Sequence, residues 1–401
     1  MENKKSPWFW AFLIIIVVLF FAMPLMSLDA GNSGDEDGYQ WPYAEQIYNF
    51  YASGGEDTTC LQNNDMGMHG GFFDQFTYTL VKWFNIDNYS QLRHIWNAIF
   101  GWICLLFTGL IARKIVGWRA STFTVILLFL SPRFLGHSFN NPKDLIFASM
   151  MMASFYYVIC LIKEYPKPKI STSIKLTIFA ALAIVSRFAG YLLFAYLVLF
   201  FIIYHIIQTH QNKLKNNIKP IGRYIAYVAG IGIVTFGLCI VLWPYIMSSP
   251  IKTTIKIFSE MSQYTVSLRQ LFEGSLQWSD VLPWYYTPKY ILMTIPIAVI
   301  VGLLLFFVFC WRKKEDRFWA FVVFFAFFFP VFWIVYTHAN VYGGWRHAMF
   351  AYPPMVVAAG LGFEGLVRWV ESRCCRDAKS CVSTNTNNYW CPIKLFLRVK
   401  K

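Results

Sequence analysis

The sequence predicts an all-α polytopic membrane protein of about ten transmembrane helices with two long outer-face loops, and three observations predict it. First, 57% of the 401 residues are hydrophobic and only 14% are charged, whereas soluble domains are about one quarter charged. One water-soluble core could not absorb so much apolar surface. Second, apolar runs long enough to cross about 30 Å of hydrocarbon recur along the chain. Third, the charges sort by side once those runs are read as crossings. The net charge of +14 is then a topology signal; the partner it implies is the lipid bilayer, and nucleic acid is excluded.

The runs fall near 8–28, 94–112, 119–134, 144–162, 224–243, 289–311, 318–336 and 348–370. Lipid offers backbone groups no hydrogen-bond partner, so each run is read as helix. Trp8–Leu28 is a full span, too long for a signal-peptide core, and no A-x-A-like site follows it. The segment starting at Arg119 is short, which predicts an outer end buried in protein. Between Ile174 and Ile207 lies a stretch too long for one span and short for two, interrupted by Ser186-Arg187 and Gly190. It reads as two helices meeting in a tight outer turn at Arg187. With Lys4 and Lys5 in the cytoplasm, the inner segments hold 25 of the 35 Lys and Arg and the outer ones 10, while 14 acids fall outside and 7 inside. This is the positive-inside partition, and it puts both termini in the cytoplasm.

The long outer segments are 29–93 and 244–288. Tyr43–Tyr51, Phe72–Phe84 and Ile251–Leu271 are apolar-periodic and predict short interfacial helices. Trp243-Pro244-Tyr245 and Pro283-Trp284-Tyr285-Tyr286 supply interface aromatics. Residues 1–370 form the transmembrane domain, and 371–401 a basic cytoplasmic tail, irregular after Arg373. Of nine cysteines, Cys374, Cys375, Cys381 and Cys391 sit in that tail at spacings that fit no strong zinc pattern.

Reactive residues collect on the outer side. Asp35-Glu36-Asp37-Gly38-Tyr39 follows the first helix; three adjacent acids raise at least one pKa unless a cation sits close, and one could act as a general base. Its bland reading is a solvated acidic loop. Ser131–Asp144 places His137, Asn140, Asn141, Lys143 and Asp144 at a membrane boundary, where Lys143 and Arg133 could hold a lipid phosphate. Asp144 reads as a helix N-cap. Arg187 faces a cavity, pairs with an anion, or snorkels to the surface. Arg346 and His347, beside Gly343-Gly344, suit a phosphate; alternatively Arg346 pairs with an acid of the first loop. His338 or His347 could join the Asp35 cluster around a metal, although no H-x-x-x-H spacing supports one. Nucleotide-binding and hydrolase motifs are absent, which removes ATP-driven transport.

The early Asp35-Glu36 pair, the large first outer loop and the span count resemble the GT-C fold membrane glycosyltransferases, family 39 in particular, the protein O-mannosyltransferase and aminoarabinose-transferase type. Gly34-Asp35-Glu36, Trp118-Arg119-Ala120, Ser131–Asp144, Ser186-Arg187-Phe188-Ala189-Gly190 and Leu282-Pro283-Trp284-Tyr285-Tyr286 look like stretches of its bacterial members. The resemblance spans roughly 8–370; a sizeable C-terminal soluble domain, known in other members, has no counterpart. It implies a bacterial inner-membrane enzyme transferring a sugar from a polyprenyl-phosphate-linked donor to a glycan, lipid or protein acceptor on the outer face, with inversion. Asp35 would be the base, with Glu36 positioning it or a cation. Lys143, Arg187, Arg346 and His347 become candidates for the donor phosphate, and Asp37, Tyr39, His137, Asn141 and Tyr285 for substrate contacts. A divalent metal is the one candidate cofactor. The competing reading is a transporter or flippase, against which stands the clustering of ionisable residues at one face.

Overall fold

The computed structural model describes residues 6–211, 219–262, 266–312 and 314–382. The chain is an integral membrane protein built as a bundle of apolar helices. In chain order these are α1 (Pro7–Met26), α2 (Trp41–Ala52), α3 (Phe72–Phe84), α4 (Tyr89–Ile115), α5 (Trp118–Phe129), α6 (Pro132–Asn140), α7 (Asp144–Lys163), α8 (Ile170–Ser186), α9 (Leu192–His210), α10 (Lys219–Leu242), α11 (Pro250–Ser262), α12 (Tyr286–Thr294), α13 (Ile297–Phe309), α14 (Lys314–Tyr336) and α15 (Tyr352–Val382). Among the described residues, seven helices are long and apolar enough to cross a membrane, or nine if each bent pair counts as one span. The bent pairs are α5–α6, folded by 69°, and α12–α13, folded by 110°. The α8 helix is shorter but apolar.

The short segment from Arg119 thus ends as a bend: Pro132 starts a new helix, and α6 turns back against α4. The Ile174–Ile207 stretch is two helices, broken at Arg187 and a 3₁₀ turn over Phe188–Tyr191. Helix α7 is the axis of the bundle, packed against α4 and α8 with nearly every side chain buried. Small residues on it let neighbours close in; Ser149 Oγ donates to the Phe100 carbonyl at 2.5 Å. By contrast α1 and α10 are mostly exposed, as lipid-facing helices are.

Both long loops gather at the end where α4 and α7 begin. As expected, α2 and α3 are short helices there. The Ile251–Leu271 expectation needs correction: α11 stops at Ser262, and β1 (Arg269–Phe272) pairs antiparallel with β2 (Ser275–Trp278). Positive φ at Glu273 and Gly274 makes the two-residue hairpin turn. The tail expected to be irregular after Arg373 instead continues α15 to Val382; Lys4, Lys5 and Cys391 lie outside the described residues. At the opposite end of the bundle Arg119 and Arg368 both bind buried Glu364, at 2.6 Å each, and Arg119 binds Glu371 at 2.7 Å.

Candidate active site

A π-helical turn over Glu36–Gln40 runs directly into α2. Such turns add a residue to the helical ladder and re-aim side chains. Here they part the three acids. Glu36 is buried: it accepts from the Ser33 amide at 2.8 Å, and its other oxygen lies 3.5 Å from His94 Nε2 and 3.9 Å from Arg93 Nε. Asp37 accepts from Asn32 and from the Tyr89 hydroxyl at 3.0 Å. Asp35 stays half-exposed, with Arg346 Nη1 3.3 Å from its Oδ2. Two of the three acids thus have a cation at hand, which answers the repulsion expected from their adjacency.

Arg93, fully buried at the start of α4, ties this turn to the scaffold. It donates to Asp74 at 2.7 Å and Thr77 at 3.1 Å on α3, and to Gln40 at 3.0 Å. Burial raises the Asp74 carboxyl even so, with Arg93 opposing.

The second wall is the α6–α7 corner. Asn141 caps α7 by accepting from the Asp144 amide at 3.0 Å, and its Nδ2 reaches Asp144 Oδ2 at 3.2 Å and His137 Nδ1 at 2.9 Å. Asp144 is buried and forms an ion pair with Arg187. Asp144 is therefore more than a helix cap, and Arg187 has a protein anion. Lys143 precedes it; burial pushes its ammonium down to about 7, Arg187 adding to the shift and Asp144, Asp74 and Asp35 opposing it. His69 comes from the first loop. A Cβ at Gly70 would overlap the Val185 carbonyl, so only glycine lets that loop dock against the end of α8. Burial, then Lys143, Arg187 and His347, hold His69 well below its usual range.

The third wall is 342–347. The Tyr342 ring lies 4.7 Å from the Arg346 guanidinium carbon and 4.7 Å from the His347 ring. The Gly343 amide donates to Gln270 of β1 at 2.7 Å, and the Gly344 amide to the Tyr286 hydroxyl at 3.1 Å. Arg187 Nε, Arg346 Nε and His347 Nδ1 are buried with no hydrogen-bond partner among the described residues. Orphaned buried N–H groups on two guanidiniums, beside an imidazole, are what an anion would satisfy.

The fold thus brings Asp35, His137, Asn141, Lys143, Arg187, Arg346 and His347 to one end of the bundle. Glu36 sits beneath Asp35 as an internal pin. Asp37 faces Tyr89, Tyr39 projects outward, and Tyr285 donates to Glu273 at 3.3 Å beside the hairpin. Sequence reasoning missed the partnership of Asp144 with Arg187, the clamp formed by Arg93, and His69. The glycines flanking His69 (Gly67, Gly70, Gly71) were the available signal. Among the described residues no three His, Cys, Asp or Glu stand close enough to hold a metal, and Asp35 already faces a guanidinium, so the donor set does not fit a divalent ion and no step is derived through one.

The helical bundle has a GT-C-like fold, the fold of the solved structures it resembles. Residues 86–237 match the family described as dolichyl-phosphate-mannose-protein mannosyltransferase. Among solved structures the chain is similar to ArnT from Cupriavidus metallidurans bound to undecaprenyl phosphate, at TM-score 0.59 and 14% identity, covering 96% of this chain and 67% of that one. It is also similar to the archaeal oligosaccharyltransferase AglB from Archaeoglobus fulgidus in complex with an inhibitory peptide and a dolichol-phosphate, at TM-score 0.56 and 12% identity, covering 99% and 54%. The Archaeoglobus fulgidus oligosaccharyltransferase complexed with Zn and sulfate matches at TM-score 0.51 and 13% identity, covering 94% and 51%. The chain spans about two thirds of the length of ArnT and about half that of the oligosaccharyltransferase. No curated protein matches it in sequence.

Proposed function

We propose that this protein is an inverting glycosyltransferase that moves a sugar from a polyprenyl-phosphate-linked donor to an acceptor at the extracytoplasmic face of the bacterial inner membrane. The observation that carries the reading is the group of Lys143, Arg187, Arg346 and the neutral imidazole His347, gathered beside Asp35 at one end of the bundle, with buried nitrogens of Arg187, Arg346 and His347 left without a partner among the described residues. The likeness in fold to a protein bound to undecaprenyl phosphate supports the donor class. The positive-inside partition supports the sidedness, with both termini cytoplasmic and 371–401 as a tail to the 1–370 membrane domain.

In this scheme Asp35 takes the proton of the acceptor hydroxyl. The acceptor oxygen forms a bond to the anomeric carbon while the bond from that carbon to the phosphate oxygen breaks, and the electron pair leaves with the lipid phosphate. The phosphodiester becomes a monoester and gains a negative charge. Lys143, Arg187 and His347 are placed to meet that charge as it develops, in a site largely closed to water. One base suffices for a single inverting displacement. Arg346 holds the Asp35 carboxylate in place, and His137, Asn141, Asp37, Tyr39 and Tyr285 remain candidates for sugar and acceptor contacts.

The test is transfer of radiolabelled sugar from a panel of polyprenyl-phosphate donors to membrane acceptors, wild type against Asp35→Asn at equal expression. Transfer that collapses in the variant supports the assignment. Transfer that persists leaves the enzyme and removes the base; no transfer from any donor moves the transporter reading ahead.

A further inference from the structure

One polar helix face is, apart from His137, not used by the scheme above. Arg133, Gly136, His137 and Asn140 stand at i, i+3, i+4 and i+7 of α6, hence on one side of it, while Phe134 and Ser138 on the other side are fully buried. With Ala30 and Phe139 these four line an open cleft of about 420 Å³. Its lining contains no acid. The Arg133 guanidinium has no carboxylate within ion-pair distance among the described residues. Its contacts are the Gly343 carbonyl at 2.6 Å and the Trp345 ring at 5.1 Å, and its Nε is buried without a partner. A half-buried cation left without a counter-charge beside an open cleft is a place for an anion.

The position of the cleft says whose anion. Asn140 donates to the Gly31 carbonyl at 3.0 Å, so one rim is the segment that leads to Asp35. Gly343, held by Arg133, packs against Arg346: a Cβ added there would lie 3.0 Å from Arg346 Cδ. The cleft therefore adjoins the Asp35–Arg346 pair, whereas Lys143 and Arg187 surround Asp144. We propose that the α6 cleft is the acceptor subsite and that it takes an acidic saccharide, whose carboxylate or phosphate is held by Arg133 while a neighbouring hydroxyl reaches Asp35. His137 and Asn140 offer hydrogen bonds to sugar hydroxyls, and Ala30 and Phe139 an apolar floor. This rests on the glycosyltransferase reading of the site.

The same guanidinium could instead serve the donor phosphate, and the experiment separates the two. The full chain in phosphatidylcholine nanodiscs is titrated with glucose 6-phosphate, with glucose, and with undecaprenyl phosphate. Wild type is expected to bind glucose 6-phosphate at least about tenfold more tightly than glucose. Arg133→Gln removes that preference and leaves undecaprenyl phosphate affinity within about twofold. Because Arg133 also holds Gly343, a second variant guards against a loosened loop. Gly136 has nothing within 4 Å of where a Cβ would sit, so Gly136→Leu fills the cleft without disturbing α6 and is expected to lower glucose 6-phosphate affinity by about tenfold. The proposal is overturned if glucose 6-phosphate binds no better than glucose, if Gly136→Leu leaves its binding unchanged, or if Arg133→Gln weakens undecaprenyl phosphate as much as the sugar phosphate. Failure of wild type to bind undecaprenyl phosphate while the Arg133-dependent sugar phosphate site persists would sink the donor reading alone.

Discussion

Arg346 Nη1 lies 3.3 Å from Asp35 Oδ2, joining the turn after the first helix to the turn before the last. The pair closes the helical bundle at the end that carries the charged residues. The Asp35 side chain is 53% exposed, so it can meet an incoming group, and the guanidinium fixes its direction without sealing it.

The first prediction follows from that exposure. Asp35→Asn leaves shape and packing unchanged, so thermal stability in detergent should stay within about 1 kcal/mol. Transfer should fall by about 10²–10⁴, the usual share of a general base. The swapped pair Asp35→Arg with Arg346→Asp should keep the contact and stay inactive. Activity regained in the swap would mean that the contact matters and the base does not.

Lys143 sets a pH dependence. Burial first, then Arg187, bring its ammonium down to about 7, below the unfolded value of about 10.4. In the unliganded protein it loses its charge as pH rises through 7, while a lipid phosphate monoester stays dianionic there. Undecaprenyl phosphate affinity should therefore weaken by up to about tenfold per unit above pH 7. Lys143→Arg, charged throughout, should flatten the profile; a flat profile in wild type would contradict the assignment. Stability carries the opposite sign. A lysine whose folded pKa is depressed costs stability fully below pH 7, and the cost fades as pH climbs toward the unfolded value. Lys143→Met should therefore raise Tm most at or below neutrality.

Arg93 offers a third. It neutralises the largely buried Asp74 and faces the buried Glu36. Arg93→Met strands those carboxylates and should cost about 3–5 kcal/mol. Burial has already raised Asp74, and a raised carboxyl favours the folded state when protonated, an advantage present at low pH and lost as pH rises through its folded pKa. The deficit of the variant, followed by thermal unfolding, should shrink from pH 7 to pH 5. A deficit independent of pH would place the loss in packing.

How much of this was legible in the sequence depends on the range of the interaction. Span positions and the one-sidedness of charge follow from composition and local order, because lipid imposes a single rule on each segment. The Arg346 pairing with a first-loop acid was visible as an alternative, since ten of the 14 outer acids lie in that loop. The Arg187–Asp144 pair was hidden: each residue has a sufficient local explanation, an outer-turn cation and a helix cap, and only packing of α7 on α8 joins them. The start of the 269–278 hairpin was read as the end of the Ile251–Leu271 helix because Leu268 and Leu271 also suit a helical stripe, although Glu273-Gly274 marks a turn just beyond it. Arg93 was invisible because nothing in Leu92-Arg93-His94 says that the side chain points into the protein.

The last prediction concerns the far end of the bundle. Arg119 and Arg368 converge on Glu364, which is 5% exposed, and Arg119 also holds Glu371; Arg368 donates onward to the Val116 carbonyl at 3.0 Å. This network ties the start of α5 to the long α15, whose other end follows directly from the Arg346–Ala351 turn. Glu364→Gln removes the shared anion, leaving Arg119 to Glu371 and the half-exposed Arg368 to water, so a loss of about 1–3 kcal/mol is expected. Because the network lies at the opposite end from Asp35, undecaprenyl phosphate affinity measured below the new Tm should stay within about twofold of wild type. A large affinity loss at a temperature where the variant is folded would show that α15 transmits strain along its length, and the two ends of the bundle could then no longer be treated as independent.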